Sequence, residues 1–313
     1  MNFTTKVPVA TYAYPIDYSS KLLSLGSCFA ENMGDKLDYF KFQVKTNPFG
    51  IIFNPVSIDR LVDRVINQRL FTESDIFFHN DLWHCYEVHS ELSHPDKDTF
   101  LEKLNAVIKT MNHQLNKSTH IIITYGTSWV YRLNSTKEIV ANCHKVPQKE
   151  FTKEILSPEI IQQTIQNTID LIRKVNPDCR FIFTISPVRH IKDGFKENQR
   201  SKAHLITAIH HSPFAIHNYF PSYEIMMDEL RDYRFYNDDL LHPSQVAIDY
   251  IWIRFFEHYV DSKCFDTMQE VCNIQKGLTH RPFNPDSSAH KQFLVVLKEK
   301  IVRLQAKYPH FQF

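Results

Sequence analysis

The stretch KLLSLGSCFAENMGDKLDYF, residues 21–40, joins a short apolar run to a sequence with helical spacing through Gly26 and Ser27. Strand, glycine, serine, helix is how a βαβ unit begins. A serine at such a junction has two readings. It caps the helix, because its side-chain oxygen can accept an amide proton of the first turn. Alternatively it is a nucleophile held at the top of a sheet, which then needs a base from elsewhere in the chain. Cys28 is an adjacent and chemically stronger rival. Consecutive residues point in different directions, so only one of the two can face that base.

Four further segments read as strands: FQVKTNPFG, HIIITYGTS, RFIFTISPV and, weakest because Pro221 interrupts it, AIHNYFPSYEI. HIIITYGTS is apolar without alternation, which suits a strand buried on both faces. Helical periods lie between them. DTFLEKLNAVIKTMNHQL sets Phe100, Leu104, Val107, Met111 and Leu115 on one stripe. SPEIIQQTIQNTIDLIRKVNP has Ser157 as a cap, Pro158 in the first turn and Asn176-Pro177 as its stop. Strands alternating with helices predict an α/β fold with a mainly parallel sheet covered on both faces, in three α/β/α layers. Residues 1–260 are expected to form this domain. Residues 261–313 follow the linker-like KGLTHRPFNPDSS and form a helical C-terminal extension. Its stripe of Phe293, Leu297, Ile301 and Leu304 packs back on the core, with a partner-binding helix as the alternative.

Composition excludes several classes. The net charge of the 313 residues is +1, so no basic field attracts nucleic acid. No apolar run is long enough to span a bilayer, and the N-terminus lacks the basic-then-apolar pattern of a secretion signal. A cytoplasmic location is the resulting expectation. The six cysteines contain no CxxC pair, so free thiols are expected, not structural zinc. His79, His84, His89 and His94 recur every five residues, which matches no standard ligand spacing. No metal and no cofactor is called for. Only six glycines occur, far below the roughly 7 % of an average chain, so each position is informative.

In an open parallel sheet, ligands bind beyond the carboxyl ends of the strands. Ser27 follows the first strand, Gly50 the second, Gly126 the third, SPVRH the fourth and DDLLHPS the fifth. All five stretches then share one edge. In the last, Asp239 and His242 are three residues apart, so the carboxylate can hold one imidazole nitrogen while the other takes a proton from a hydroxyl. Ser27, His242 and Asp239 make a complete triad in principle. By itself D-x-x-H is a weak signal; with a strand-end serine it becomes a mechanism. His144 and His190 could face the same pocket or be structural. Arg189 could meet an anionic substrate or pair with an acid such as Asp193. Trp129, Tyr131 and Arg132 could line a sugar-sized cleft, although core or lid positions are the commoner use. YEIMMDELRDYRFY is read as an ion-pair network supporting the Asp239–His242 loop.

These residues resemble a family. LGSCFAENMG is similar to the signature of the GSCFA domain family, a branch of the SGNH/GDSL-like hydrolases. NPFGIIFNP, YGTSWVYR, NCHKVP, SPVRH, SKAHL and YFPSYEIMMDELRDYRFYNDDLLHP extend the resemblance over residues 20–260. It implies a flavodoxin-like five-stranded sheet of order 2-1-3-4-5, with Ser27 as nucleophile and Asp239–His242 as the base pair. It also implies an oxyanion held by the N–H groups of Ser27 and Gly50. The asparagine that such enzymes carry after the third strand is missing here, where Gly126-Thr127-Ser128-Trp129 stands. Asn142 is the candidate substitute and Ser128 the second. The implied activity is a serine esterase acting on an O-acyl ester, with a small acyl group on a saccharide as the expected substrate. An O-acyltransferase using the same site and a non-catalytic carbohydrate-binding module are the alternatives. Oligomeric state is left open.

Overall fold

The computed structural model describes residues 4–313. Five parallel strands form the central sheet: β1 (Lys21–Gly26), β2 (Gln43–Thr46), β5 (His120–Tyr125), β9 (Arg180–Ile185) and β10 (Tyr219–Phe220). These are the five segments read as strands. Their spatial order is β2-β1-β5-β9-β10. Numbered along the chain that is 2-1-5-9-10, not 2-1-3-4-5, because five short strands intervene that sequence reading missed. β3 (Phe77–His79) and β4 (Leu82–His84) make a hairpin. β6 (Trp129–Leu133), β7 (Ile139–Val140) and β8 (Phe151–Ile155) make a separate antiparallel sheet. Strands of two to five residues are too short to show a period. The fifth sheet strand is also shorter than expected, since Pro213–Ile216 is a helical turn.

Alternation along the central strands builds two cores. Leu23, Leu25, Ile121, Ile123, Phe181 and Phe183 face one, against α2 (Pro55–Ile66), α3 (Lys97–Lys117), α4 (Pro158–Val175) and α5 (Phe195–His211). Leu22, Ile122 and Ile182 face the other, against α1 (Cys28–Tyr39), α6 (Gln245–Tyr259), α7 (Phe265–Leu278) and α8 (Ser288–Lys307). Helices therefore flank the sheet on both faces. α4 starts and stops where its cap and Asn-Pro signal put it, with Ser157 accepting from the Ile160 amide. On α3 the buried stripe runs through Ile108, and Val107 is only partly buried.

The C-terminal segment packs on the second core through Leu297, Leu304 and Phe311. Ile301 joins it at the edge, while Phe293 is 38 % exposed with its ring against His280 and His290. The approach is close enough that a Cβ on Gly277 would come within 2.9 Å of Leu297. Among the described residues no helix is long and apolar enough to cross a membrane.

Candidate active site

The Gly26-Ser27 turn is built by its neighbours. Gly26 has φ +137°, and a Cβ there would lie 2.1 Å from the Thr124 carbonyl oxygen, so no other residue fits. The Gly26 amide donates to the Asn47 side-chain oxygen at 2.8 Å, and its carbonyl accepts from the Ile52 amide at 3.0 Å. Asn47, within the FQVKTNPFG segment, thus pins the turn. Ser27 follows with extended backbone as the N-cap of α1. Its Oγ accepts the Phe29 amide at 3.3 Å, and its own N–H donates to the Thr124 carbonyl at 3.1 Å. Ser27 is only 1 % exposed. The capping role is therefore real, and no hydrogen bond joins Ser27 to His242.

The other half of the expected triad is assembled. In the loop after β10, Asp239 Oδ2 lies 2.6 Å from His242 Nδ1. Its Oδ1 accepts the amides of Leu241 at 2.9 Å and His242 at 3.0 Å. Those hydrogen bonds to the charged form pull the Asp239 pKa down to about 2. The loop closes on itself through Asn237 N–H to the His242 carbonyl, with Leu240 in left-handed backbone at φ +58°. It is docked from outside by Arg189, whose amide and guanidinium each donate at 3.1 Å, to the Leu241 and Leu240 carbonyls respectively. Among the described residues the expected ion-pair support is absent: Arg231–Asp228 and Arg234–Asp232 are local exposed pairs. Glu229 instead joins Arg254 and the Val7 amide.

Between the halves lies Gly126, the residue that follows β5, the strand paired with both β1 and β9. Its amide donates to the Phe53 carbonyl at 2.8 Å, so the NPFGIIFNP loop is tied to both Gly26 and Gly126. The Gly126 carbonyl accepts from Lys202 Nζ at 2.7 Å, and the Ser186 carbonyl accepts from the same Nζ at 2.7 Å. Lys202 is fully buried and clamps the ends of β5 and β9 together. Burial drives its pKa down to about 7. Sequence reading missed this residue, although a signal existed: Asn198, Ser201 and Lys202 interrupt the buried stripe of α5 that Leu205, Ala208 and Ile209 continue.

His190 sits over Gly126, its Nε2 3.5 Å from where a Cβ would be. The His190 amide is held by Asn198 Oδ1 at 2.8 Å and its ring lies against Phe53. Nε2 is buried without a protein partner. Burial, with Lys202 and His242 nearby, lowers its pKa to about 3, so it is a neutral imidazole.

The remaining expected site residues fall differently. The Gly50 amide closes a turn onto the Asn47 carbonyl at 2.8 Å, and Gly50 needs its glycine for φ +75°. Like the Ser27 amide it is already committed, so neither backbone donor of the expected oxyanion hole is free. Ser128 is buried and bonded from both ends to Ser201, which makes it structural. His144 is buried against His84 and Phe77, with Nε2 2.7 Å from the Cys85 carbonyl and a pKa lowered to about 4 by burial. It holds the β3–β4 hairpin. Asn142 accepts the His144 amide with Oδ1 at 2.8 Å and is partly exposed. Burial and Glu31 push the Cys28 thiol up, away from thiolate character. Trp129 donates to the Glu197 carbonyl and Arg132 pairs with Glu154, so these residues brace the small antiparallel sheet.

The family model for GSCFA matches residues 21–255, and the model described as GSCFA domain protein, C-terminal domain, matches residues 271–313. No curated protein matches the chain.

Proposed function

Since the chain belongs to the GSCFA family, we propose that it is a serine esterase of SGNH type, with a flavodoxin-like sheet whose five parallel strands alone run 2-1-3-4-5. The observation that supports this reading is the Asp239–His242 pair, oriented by three hydrogen bonds and docked by Arg189 onto the segment that follows β9, as Ser27 follows β1. Asp239, kept ionised, holds a proton on His242 Nδ1 and leaves Nε2 as the base. The Ser27 hydroxyl leaves its weak 3.3 Å cap and gives its proton to His242 Nε2 as Oγ attacks the ester carbonyl carbon. His242 then passes that proton to the leaving alkoxide as the C–O bond breaks. Water, deprotonated by the same imidazole, hydrolyses the acyl-enzyme and restores the serine.

With the Ser27 and Gly50 amides committed, the oxyanion is assigned to other donors. His190 Nε2 is one: the ring is neutral, and in the tautomer that carries its proton on Nε2 it donates with no competing acceptor among the described residues. The amide of Cys28 at the start of α1 is the second, favoured by the positive end of the helix dipole. Asn142 Nδ2 remains a third.

Labelling with a fluorophosphonate tests the reading. Wild type should react at Ser27, and Ser27→Ala and His242→Ala should not. Folded wild-type protein that stays unlabelled would favour the second reading, a non-catalytic binding module, for which the burial of Ser27 speaks.

A further inference from the structure

Arg189 lies three residues beyond Ser186, between β9 and the Asp239–His242 loop. The expected acidic partner does not take it: Asp193 pairs with Lys153. Among the described residues no carboxylate forms an ion pair with Arg189. Its guanidinium instead stands 5.4, 5.7 and 5.5 Å from the rings of Phe195, Tyr233 and Tyr236, and a single N–H edge donates to the Leu240 carbonyl. Aromatic faces stabilise a cation without using its hydrogen-bond donors. Of five guanidinium N–H groups, most are thus left without a protein acceptor.

Arg189 lines a cavity of about 230 Å³ whose wall also includes Gln199, Met226, Leu230, Tyr233 and Tyr236. The charges around it are otherwise settled, since Arg231 pairs with Asp228 and Asp232 with Arg234. The cavity therefore holds one unneutralised planar cation among aromatic and thioether surfaces. A ligand that completes it carries a carboxylate or phosphate, for bidentate contact with the guanidinium, on a small apolar or ring-bearing body. The backbone of the same arginine holds Leu241, the residue before His242.

We propose that Arg189 and this cavity recognise an anionic group on the substrate's leaving alcohol, next to the His242 loop. The word substrate rests on the esterase reading; the anion site does not.

The test uses two probes, kept separate. Binding is measured by calorimetry on the full-length Ser27→Ala protein with benzoate and with phenyl phosphate; the tighter of the two identifies the preferred anion. Turnover is measured on wild type with 3-acetoxybenzoate and its neutral methyl ester. Wild type should prefer the anionic ester about tenfold or more, and Arg189→Gln, which keeps the backbone bond to Leu241 but loses the guanidinium bond to Leu240, should remove that preference, its anionic rate falling about 10- to 100-fold beyond any fall in the neutral rate. Arg189→Lys, which keeps a charge and a donor for Leu240 but not the planar fork, should recover part of it. Anion binding that depends on Arg189, with neither ester turned over, would sustain the anion site and overturn the esterase reading. Neutral-ester turnover with no anion binding and no anionic preference, or an equal loss for both esters in Arg189→Gln, would overturn the anion site alone.

Discussion

His242 Nδ1 and Asp239 Oδ2 are 2.6 Å apart, on a loop where the same carboxylate also accepts two backbone amides. The loop and the base are therefore organised by one side chain. Asp239→Asn keeps its size but presents an amide N–H or a neutral oxygen to the ring, and the tautomer is no longer dictated. Fluorophosphonate labelling and ester turnover are expected to fall by about 10³- to 10⁴-fold with the fold intact. Near-native circular dichroism with unchanged turnover would remove Asp239 from the mechanism.

The same pair gives a pH dependence of the loop. The Asp239 pKa is lowered from 3.8 to about 2. A depressed carboxylate stabilises the folded loop fully above its unfolded value and loses that contribution as pH falls through the folded one. Protection of the Leu241 and His242 amides, relative to their intrinsic exchange rates, should therefore hold down to about pH 4 and fall between about pH 4 and 2. In Asp239→Ala those amides should exchange fast throughout.

Lys202 gives the same sign in a higher pH window. Its folded pKa is about 7, below the ordinary 10.5, so the unfolded chain binds more protons between those values. Stability from this group rises with pH across that window. Below about pH 7 the cost of a buried ammonium is fully present. Above it, a neutral amine still supplies two protons, one for each of the Gly126 and Ser186 carbonyls. Urea melts at pH 7 and 9.5 should show wild type gaining stability relative to Lys202→Met as pH rises. A difference that stays constant would mean that Lys202 does not titrate there.

Gly26→Ala places a Cβ 2.1 Å from the Thr124 oxygen at φ +137°. Strain of about 1–3 kcal/mol from the backbone alone adds to a clash with main chain that cannot swing aside. We expect a loss of about 3 kcal/mol or more, or failure to fold, read by urea denaturation. A melt within about 0.5 kcal/mol of wild type would show that the β1–β5 approach is looser than the structure has it.

Ser27→Ala, by contrast, removes only one 3.3 Å capping bond. Its stability cost should be about 1 kcal/mol or less, while labelling is abolished. A large loss of stability would make the serine chiefly structural. His190→Phe keeps a ring against Phe53 but removes the N–H assigned to the oxyanion. It should lower kcat about 10²-fold or more and leave KM little changed.

What the amino-acid order determined is the set of elements with a long enough signature. The apolar runs of β1, β5 and β9, the cap and stop of α4, and the D-x-x-H spacing that forces Asp239 onto His242 are all local patterns. Short strands such as β3, β4 and β7 lie below the length at which a period can be seen. The tertiary structure alone decided which hydrogen-bonding groups are left free. Ser27 carries a suitable amide in any reading of the chain, yet folding brings the Thr124 carbonyl against it and occupies it. Lys202, an unremarked lysine in a helix, becomes the clamp of two strand ends because Gly126 and Ser186, 76 and 16 residues away, present their carbonyls to it. A donor's availability depends on acceptors distant in sequence, and no local pattern records where those will be.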